Sequence, residues 1–265
     1  MKPVPATTFA LLALLSLHAE SAVMIEMQDS EGVSRIYSDG QRGRIEMSGR
    51  DDFMLIDSKE NTAYMVIPSQ RTVLDMRDML NSQATTSNGG KAKLTRQGSG
   101  PEIAGYKTVE YLVTAGDRNC QTVYGSRSAM EKSGVEDIVS VFQKMALQAH
   151  AMATQFGMGN DPCTAADALV AQQAAEIGMP MRVKDEAGAV ISEVLRINTD
   201  ATLPPDAFGL PDDYEVQNMA QMQQQMREQM PPIEDMMKQM QESGNLPPEA
   251  VEHMQRMQEM MKQHQ

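Results

Sequence analysis

The chain of 265 residues has no Trp, five Phe, two Cys and four His. It also lacks HExxH, GxSxG, Walker and dinucleotide-binding glycine motifs, so the sequence offers no readable metalloprotease, serine-hydrolase or nucleotide chemistry. The glycines of Gln97–Glu102 (QGSGPE) belong to a turn and have no phosphate-loop context. Cysteines in C-x-x-C spacing are missing, which removes a redox dithiol. Basic residues are in deficit: the net charge of −13 sets the chain against nucleic-acid phosphates and against anionic lipid surfaces by charge alone. After residue 17 no segment approaches the ~20 apolar residues of a transmembrane helix. These absences leave a non-enzymatic chain with no cofactor and no metal site to assign.

What is present begins at the N-terminus. Lys2, the apolar run Phe9–Leu17 and the small residues of Ala19–Ala22 have the layout of a cleaved secretory signal, cut after Ser21 or after Ala19. The expected organisation is a signal over 1–21, a domain over 22–217 and a Met/Gln-rich tail over 218–265, in a periplasmic or secreted protein. In an oxidising compartment Cys120 and Cys163 read as a disulfide.

From Val23 to Ser126 short runs with period-two alternation alternate with polar, hairpin-sized joins. Strands are expected over Val33–Asp39, Arg42–Ser48, Asp52–Asp57, Asn61–Pro68 and Arg71–Asp78, then near Lys93–Gln97, Tyr106–Thr114 and Asn119–Ser126. Strands every ten residues or so indicate an antiparallel meander. One parity collects Ile45, Met47, Met65 and Ile67, and the other carries Arg44, Glu46, Asn61 and Tyr64, which predicts a sheet with one covered wall. Val109, Tyr111 and Val113 share a face in the same way.

The period then lengthens. Val135, Ile138, Phe142, Met145, Ala149, Met152 and Phe156 step by three and four, the stripe of a long amphipathic helix. A second helix is expected from Cys163 to Gly178, with Thr164 and Asp167 spaced for a capping box. His150 is read as a helix-surface residue. Two closing strands follow at Pro180–Glu186 and Ala189–Asn198.

The order of IYSDGQRGRIEMSG (36–49), MLIDSKENTAYMVIPSQRTVLDM (54–76), IAGYKTVEY (103–111), PMRVKDEAGAVISEVLRI (180–197) and LPPDAFGLPDDYEV (203–216) resembles a family of exported bacterial proteins of unknown function, similar in pattern to the periplasmic carriers of outer-membrane lipoproteins. The resemblance implies an α+β fold: a curled antiparallel sheet, an unclosed β-barrel, whose concave face is covered by a two-helix insertion and can hold acyl chains. The chain departs from the carriers in having no Trp, no N-terminal helix and no arginine-centred site. The scaffold and an apolar ligand therefore carry over, and lipoprotein transport does not. The expected lining is Ile45, Met47, Met65, Ile67, Val109, Tyr111, Val113, Phe142 and Met145.

Eleven of the 25 Met lie in the last 47 residues. Met219, Met222, Met226, Met237, Met254, Met257 and Met261 recur at helical spacing in short segments broken by Pro231, Pro232 and Ser243–Ala250. Soft thioethers suit Cu(I), but a helical stripe produces the same spacing without metal, and Met also recurs along the strands. The tail is thus read as an apolar partner face for another protein or for self-association.

Overall fold

The computed structural model describes residues 22–81, 92–155, 161, 163–218 and 221–222. The chain divides into two units, Met1–Val216 and Gln217–Gln265. The expected signal segment lies outside the described residues, as does the tail apart from Asn218, Gln221 and Met222.

Alternation builds the first half of the sheet. β1 (Ala22–Asp29), β2 (Val33–Ser38), β3 (Arg42–Glu46), β4 (Phe53–Asp57), β5 (Thr62–Ile67) and β6 (Thr72–Asp75) form an antiparallel meander, followed by the short helix α1 (Arg77–Asn81). β7 (Ala92–Ser99), β8 (Val109–Ala115) and β9 (Arg118–Ser126) make a second meander. The helical insertion comes next: α2 (Arg127–Ser133), α3 (Glu136–Gln155), α4 (Thr164–Gln172) and α5 (Ala174–Ile177). β10 (Met179–Asp185), β11 (Val190–Ala201) and β12 (Glu215–Asn218) complete the chain. The spatial order is β12-β6-β5-β4-β3-β2-β1-β11-β10-β9-β8-β7, one twelve-stranded sheet that curls without closing. β1 joins the halves: Ile25 is flanked by Ile36 of β2 and Ile197 of β11.

The insertion holds more helix than the sequence pattern indicates. Ser126 caps α2 by accepting from the Ala129 N–H (3.2 Å), and Gly134 ends it in the left-handed region (φ 62°). α3 sets Ile138, Val141 and Met145 against Ile45, Ile56, Ala63 and Leu80. α4 and α5 set Ala166 and Ile177 against Tyr111, Val113 and Val123. Cys120 and Cys163 form a disulfide (S–S 2.06 Å) that fastens the start of α4 to β9. The expected capping box is absent. Cys163 occupies the N-cap with no side-chain bond, and the Asp167 carboxylate instead accepts from Gln121 Nε2 at 3.1 Å.

The one-sided sheet also needs correction. Over β4–β6 the outer face buries Phe53, Leu55, Val66 and Val73, with Tyr64 and Tyr214 packed on them. The cover is the segment after β11, which crosses the outer face on its way to β12 at the β6 edge. Arg42 stacks 4.8 Å from the Phe208 ring centroid, Arg71 bonds Asp213, and the Glu215 N–H donates to the Arg71 carbonyl (3.0 Å). Among the described residues no helix is long and apolar enough to cross a membrane.

Candidate functional site

Register converts the meander into rows. On the concave face the Cα partners Ile25, Ile36, Ile45, Met54, Met65 and Leu74 form a continuous line from β1 to β6. Two residues along each strand, and so on the same face, runs a second line: Val23, Ser38, Gly43, Ile56 and Ala63. The outer face carries Glu26, Arg35, Glu46, Phe53, Val66 and Val73 in register.

α3 roofs one end of this concave wall. It lies at the end marked by the β4–β5 turn, where Lys144 Nζ donates to Asn61 Oδ1 (3.0 Å) and where Val141 and Lys144 line a small cleft with Gln41, Ser58 and Lys59. Close approach depends on Gly43. A Cβ built there would stand 3.1 Å from Ile138 Cγ2 and 3.3 Å from its Cδ1, so the absent side chain is what lets the helix settle on β3. The Gly43–Ile56–Ala63 line is buried under Ile138 and Val141. One row further from the roof the cover thins. Ile45 is still buried, while Met54, Met65 and Leu74 are half-buried, as are Ile67 and Thr72 in the row beyond. Phe142 is half-buried and, with Met54, packs at the margin of the same core. Among the described residues the result is an apolar strip on the concave side, buried beneath α3 at one end and half-buried beyond it.

The expected lining residues divide between two places. Ile45, Met65, Ile67, Phe142 and Met145 belong to the β3–β6 half, where Met145 is already core. Tyr111 and Val113 are buried beneath α4 and α5, with Val109 partly buried beside them. The Tyr111 hydroxyl donates to the Glu176 carbonyl at 3.3 Å. Met47 lies past the end of β3, where it lines a cleft with Val33, Arg35, Arg44 and Phe53. Met54 and Leu74 complete the strip but were not singled out from sequence. Their signal was available in the hairpin lengths, which set Met54 opposite both Ile45 and Met65.

Charged and polar groups lie elsewhere. A cleft of about 420 Å³ beside α2, α3 and α5 is lined by Arg127, Glu131, Glu136 and Asp137 together with Met130 and Val139. His150 is half-buried rather than on the helix surface, and its Nδ1, like Gln148 Oε1, is buried without a hydrogen-bond partner. Two residues apart on a helix, these side chains diverge by about 200° and do not form one site. Partial desolvation holds the Asp167 carboxyl above its usual range, opposed by the bond from Gln121 and the nearby His150. Among the described residues no group of three or more His, Cys, Asp or Glu is placed to hold a metal ion. Of the expected partner-face residues Met222 alone is described; Met219, Met226, Met237, Met254, Met257 and Met261 lie outside the described residues.

No family model and no curated protein matches the chain. Among solved structures, the crystal structure of MucB shows a distant similarity of fold: 12% identity, a TM-score of 0.34, and coverage of 74% of this chain and 60% of that one. The chain therefore spans less than two thirds of the length of the structure it is compared with.

Proposed function

We propose that this is an exported, non-enzymatic binding protein that holds an apolar, acyl-like ligand on the concave face of its curled sheet, over β3–β6. The observation that carries the reading is the strip Met54, Met65, Leu74 and Ile67. These four apolar side chains share one face in register, beside Phe142 and beyond the cover of α3. Covering such a strip with an acyl chain is favourable by about 0.8 kcal/mol per buried methylene. The two methionines of the strip, Met54 and Met65, adapt to ligands of varied shape. The resemblance of the sequence to the lipoprotein-carrier pattern points the same way, and the signal-like N-terminus supports an envelope or extracellular location.

The test is native mass spectrometry of protein extracted from its own envelope, followed by titration of the stripped protein with a fluorescent fatty acid. Co-purifying lipid is expected. A Met65→Asp substitution should weaken fatty-acid binding at least tenfold while the fold is retained. A clean ligand-free mass combined with no saturable binding would reject the reading.

A second reading, docking of a protein partner through the tail, is favoured by one feature. Asn218 and Gln221 exchange hydrogen bonds, Asn218 N–H to Gln221 Oε1 (2.9 Å) and Gln221 N–H to Asn218 Oδ1 (2.8 Å), a reciprocal pair of the capping-box kind at the head of the Met-rich sequence. Removing Gln217–Gln265 should abolish association if this reading holds, and leave it unchanged if it does not.

A further inference from the structure

We propose that β7, an edge of the sheet, is a strand-addition site that takes an extended acidic segment of a partner protein in antiparallel register. It lies in the other half of the sheet from the acyl strip and does not depend on that strip.

The first observation is an unpaired ladder. Among the described residues β7 pairs with β8 alone and ends the sheet, and residues 92–99 make no other backbone hydrogen bond. Its outward N–H and C=O groups are open to another strand. The register against β8 is regular from Ala92 to Arg96 and shifts only before Gly98. An added strand can therefore follow Ala92 to Arg96 without meeting the bulge.

The second observation is the core that this edge leaves partly open. Leu94 lies opposite Val113, which is buried with Tyr111 beneath α4 and α5. Leu94 thus faces the concave side, and with Leu169 and Val170 of α4 it is half-buried at the margin of that core. A strand added about 4.8 Å away sets one side chain directly beside Leu94, and an apolar side chain there extends the core.

The third observation selects the occupant. Lys93 and Arg96 are exposed and, among the described residues, bond no carboxylate. Elsewhere on the sheet Arg35, Arg44, Arg182 and Arg196 each hold a glutamate. Glu110 of β8 does not neutralise the edge: it is opposite Gly98, whereas Lys93 is opposite Thr114, roughly 13 Å further along the strand. Unpaired cations on the edge of a chain of net charge −13 favour an acidic partner. They disfavour a second copy, because pairing two β7 edges would bring the Lys93 and Arg96 of both copies into one short ladder. Side chains alternate between faces, so Arg96 shares the concave side with Leu94 while Lys93 lies on the outer side. The antiparallel segment that fits has an acid opposite Arg96, any residue opposite Thr95, an apolar residue opposite Leu94 and an acid opposite Lys93.

The experiment uses the full mature chain and two end-capped probe peptides, VETIEV and its lysine counterpart VKTIKV. Calorimetric titration should show saturable binding of VETIEV and about tenfold weaker binding of VKTIKV. The Lys93→Glu/Arg96→Glu protein, changed at two exposed positions, should keep its melting temperature and reverse that preference. Methylating alternate backbone nitrogens of VETIEV should abolish binding in one of the two phases, because strand addition uses the peptide's own N–H groups. No saturable binding, equal affinity for the two peptides, or a preference unmoved by the double substitution would each overturn the proposal. Binding indifferent to both methylated forms would reduce it to charge attraction and overturn strand addition. Dimers of the peptide-free protein that dissociate on adding VETIEV would assign the edge to a second copy, and overturn it equally.

Discussion

The seat of α3 on β3 can be tested by a cycle between Gly43 and Ile138. Ile138 is 1% exposed, so Ile138→Ala removes a buried side chain and should cost about 3 kcal/mol. Gly43→Ala acts in the opposite sense. Its Cβ would stand 3.1, 3.3 and 3.5 Å from Ile138 Cγ2, Cδ1 and Cγ1, an overpacking that costs about 1–3 kcal/mol. Reduced freedom of the unfolded chain offsets roughly 0.4–1 kcal/mol of that, leaving a net cost of about 1 kcal/mol. In the Ile138→Ala background the crowding atoms are gone. There the new methyl fills part of the void, worth about 0.8 kcal/mol, and the unfolded-state gain remains. The same Gly43→Ala change should therefore stabilise by about 1 kcal/mol in that background, giving a coupling of about 2 kcal/mol between the two sites. Urea unfolding of the four proteins measures it. Additivity within about 0.5 kcal/mol would show that α3 does not rest on β3 and would remove the roof from the account.

The disulfide closes a span of 43 residues, and on the chain-entropy relation its loss should cost up to about 4 kcal/mol; an unchanged urea midpoint for the Cys120→Ser/Cys163→Ser protein would contradict this. The Arg77 guanidinium bonded to Asp75 holds that carboxyl below the usual carboxylate range. Its stabilising contribution is therefore complete above the ordinary carboxylate pKa and is lost as pH falls through the depressed value. The stability gap between wild type and Asp75→Asn should accordingly shrink on acidification from about pH 5 to about pH 2, and a gap that widened would invert the argument. Tyr214→Ala uncovers the outer cluster of Phe53, Leu55, Val66 and Val73 and should lower stability by about 2 kcal/mol, visible as a reduced melting temperature; no change would mean that the segment after β11 does not serve as cover.

Much of the scaffold was readable because the sheet repeats a simple rule. Alternation located the strands from β2 to β5 and β8 to β11 within a few residues, and the three-four steps from Val135 located α3. Cys120 and Cys163 could be paired because no other cysteine competed. What escaped the reading was decided over long range. Phe53, Leu55, Val66 and Val73 look like ordinary alternating strand residues, and only the return of Phe208 and Tyr214, some 150 residues later, makes their outer face a second core. Asp167 has the spacing of a capping residue but finds Gln121 on β9 instead. The grouping of Val109, Tyr111 and Val113 with Ile45 and Met65 failed to anticipate that α4 and α5 cover one set while α3 covers part of the other.

The path of the chain decides how each face of the meander is covered. On the inside, α3 is held at one end of the strands by Gly43 and Lys144, and its apolar stripe is used up on Ile56, Ala63 and Ile45. Met54, Met65 and Leu74 therefore receive only partial cover because the helix that would have to reach them is fixed a row away. On the outside, the segment after β11 must travel from one side of β1 to the far edge at β6, and it shields the apolar strands it crosses last. The strands around its point of departure, β11, β1 and β2, keep paired charges and the bare side chains of Val33, Ile191 and Leu195. Among the described residues the half-buried concave strip and the exposed side chains of β2 and β11 thus follow from chain path rather than from composition.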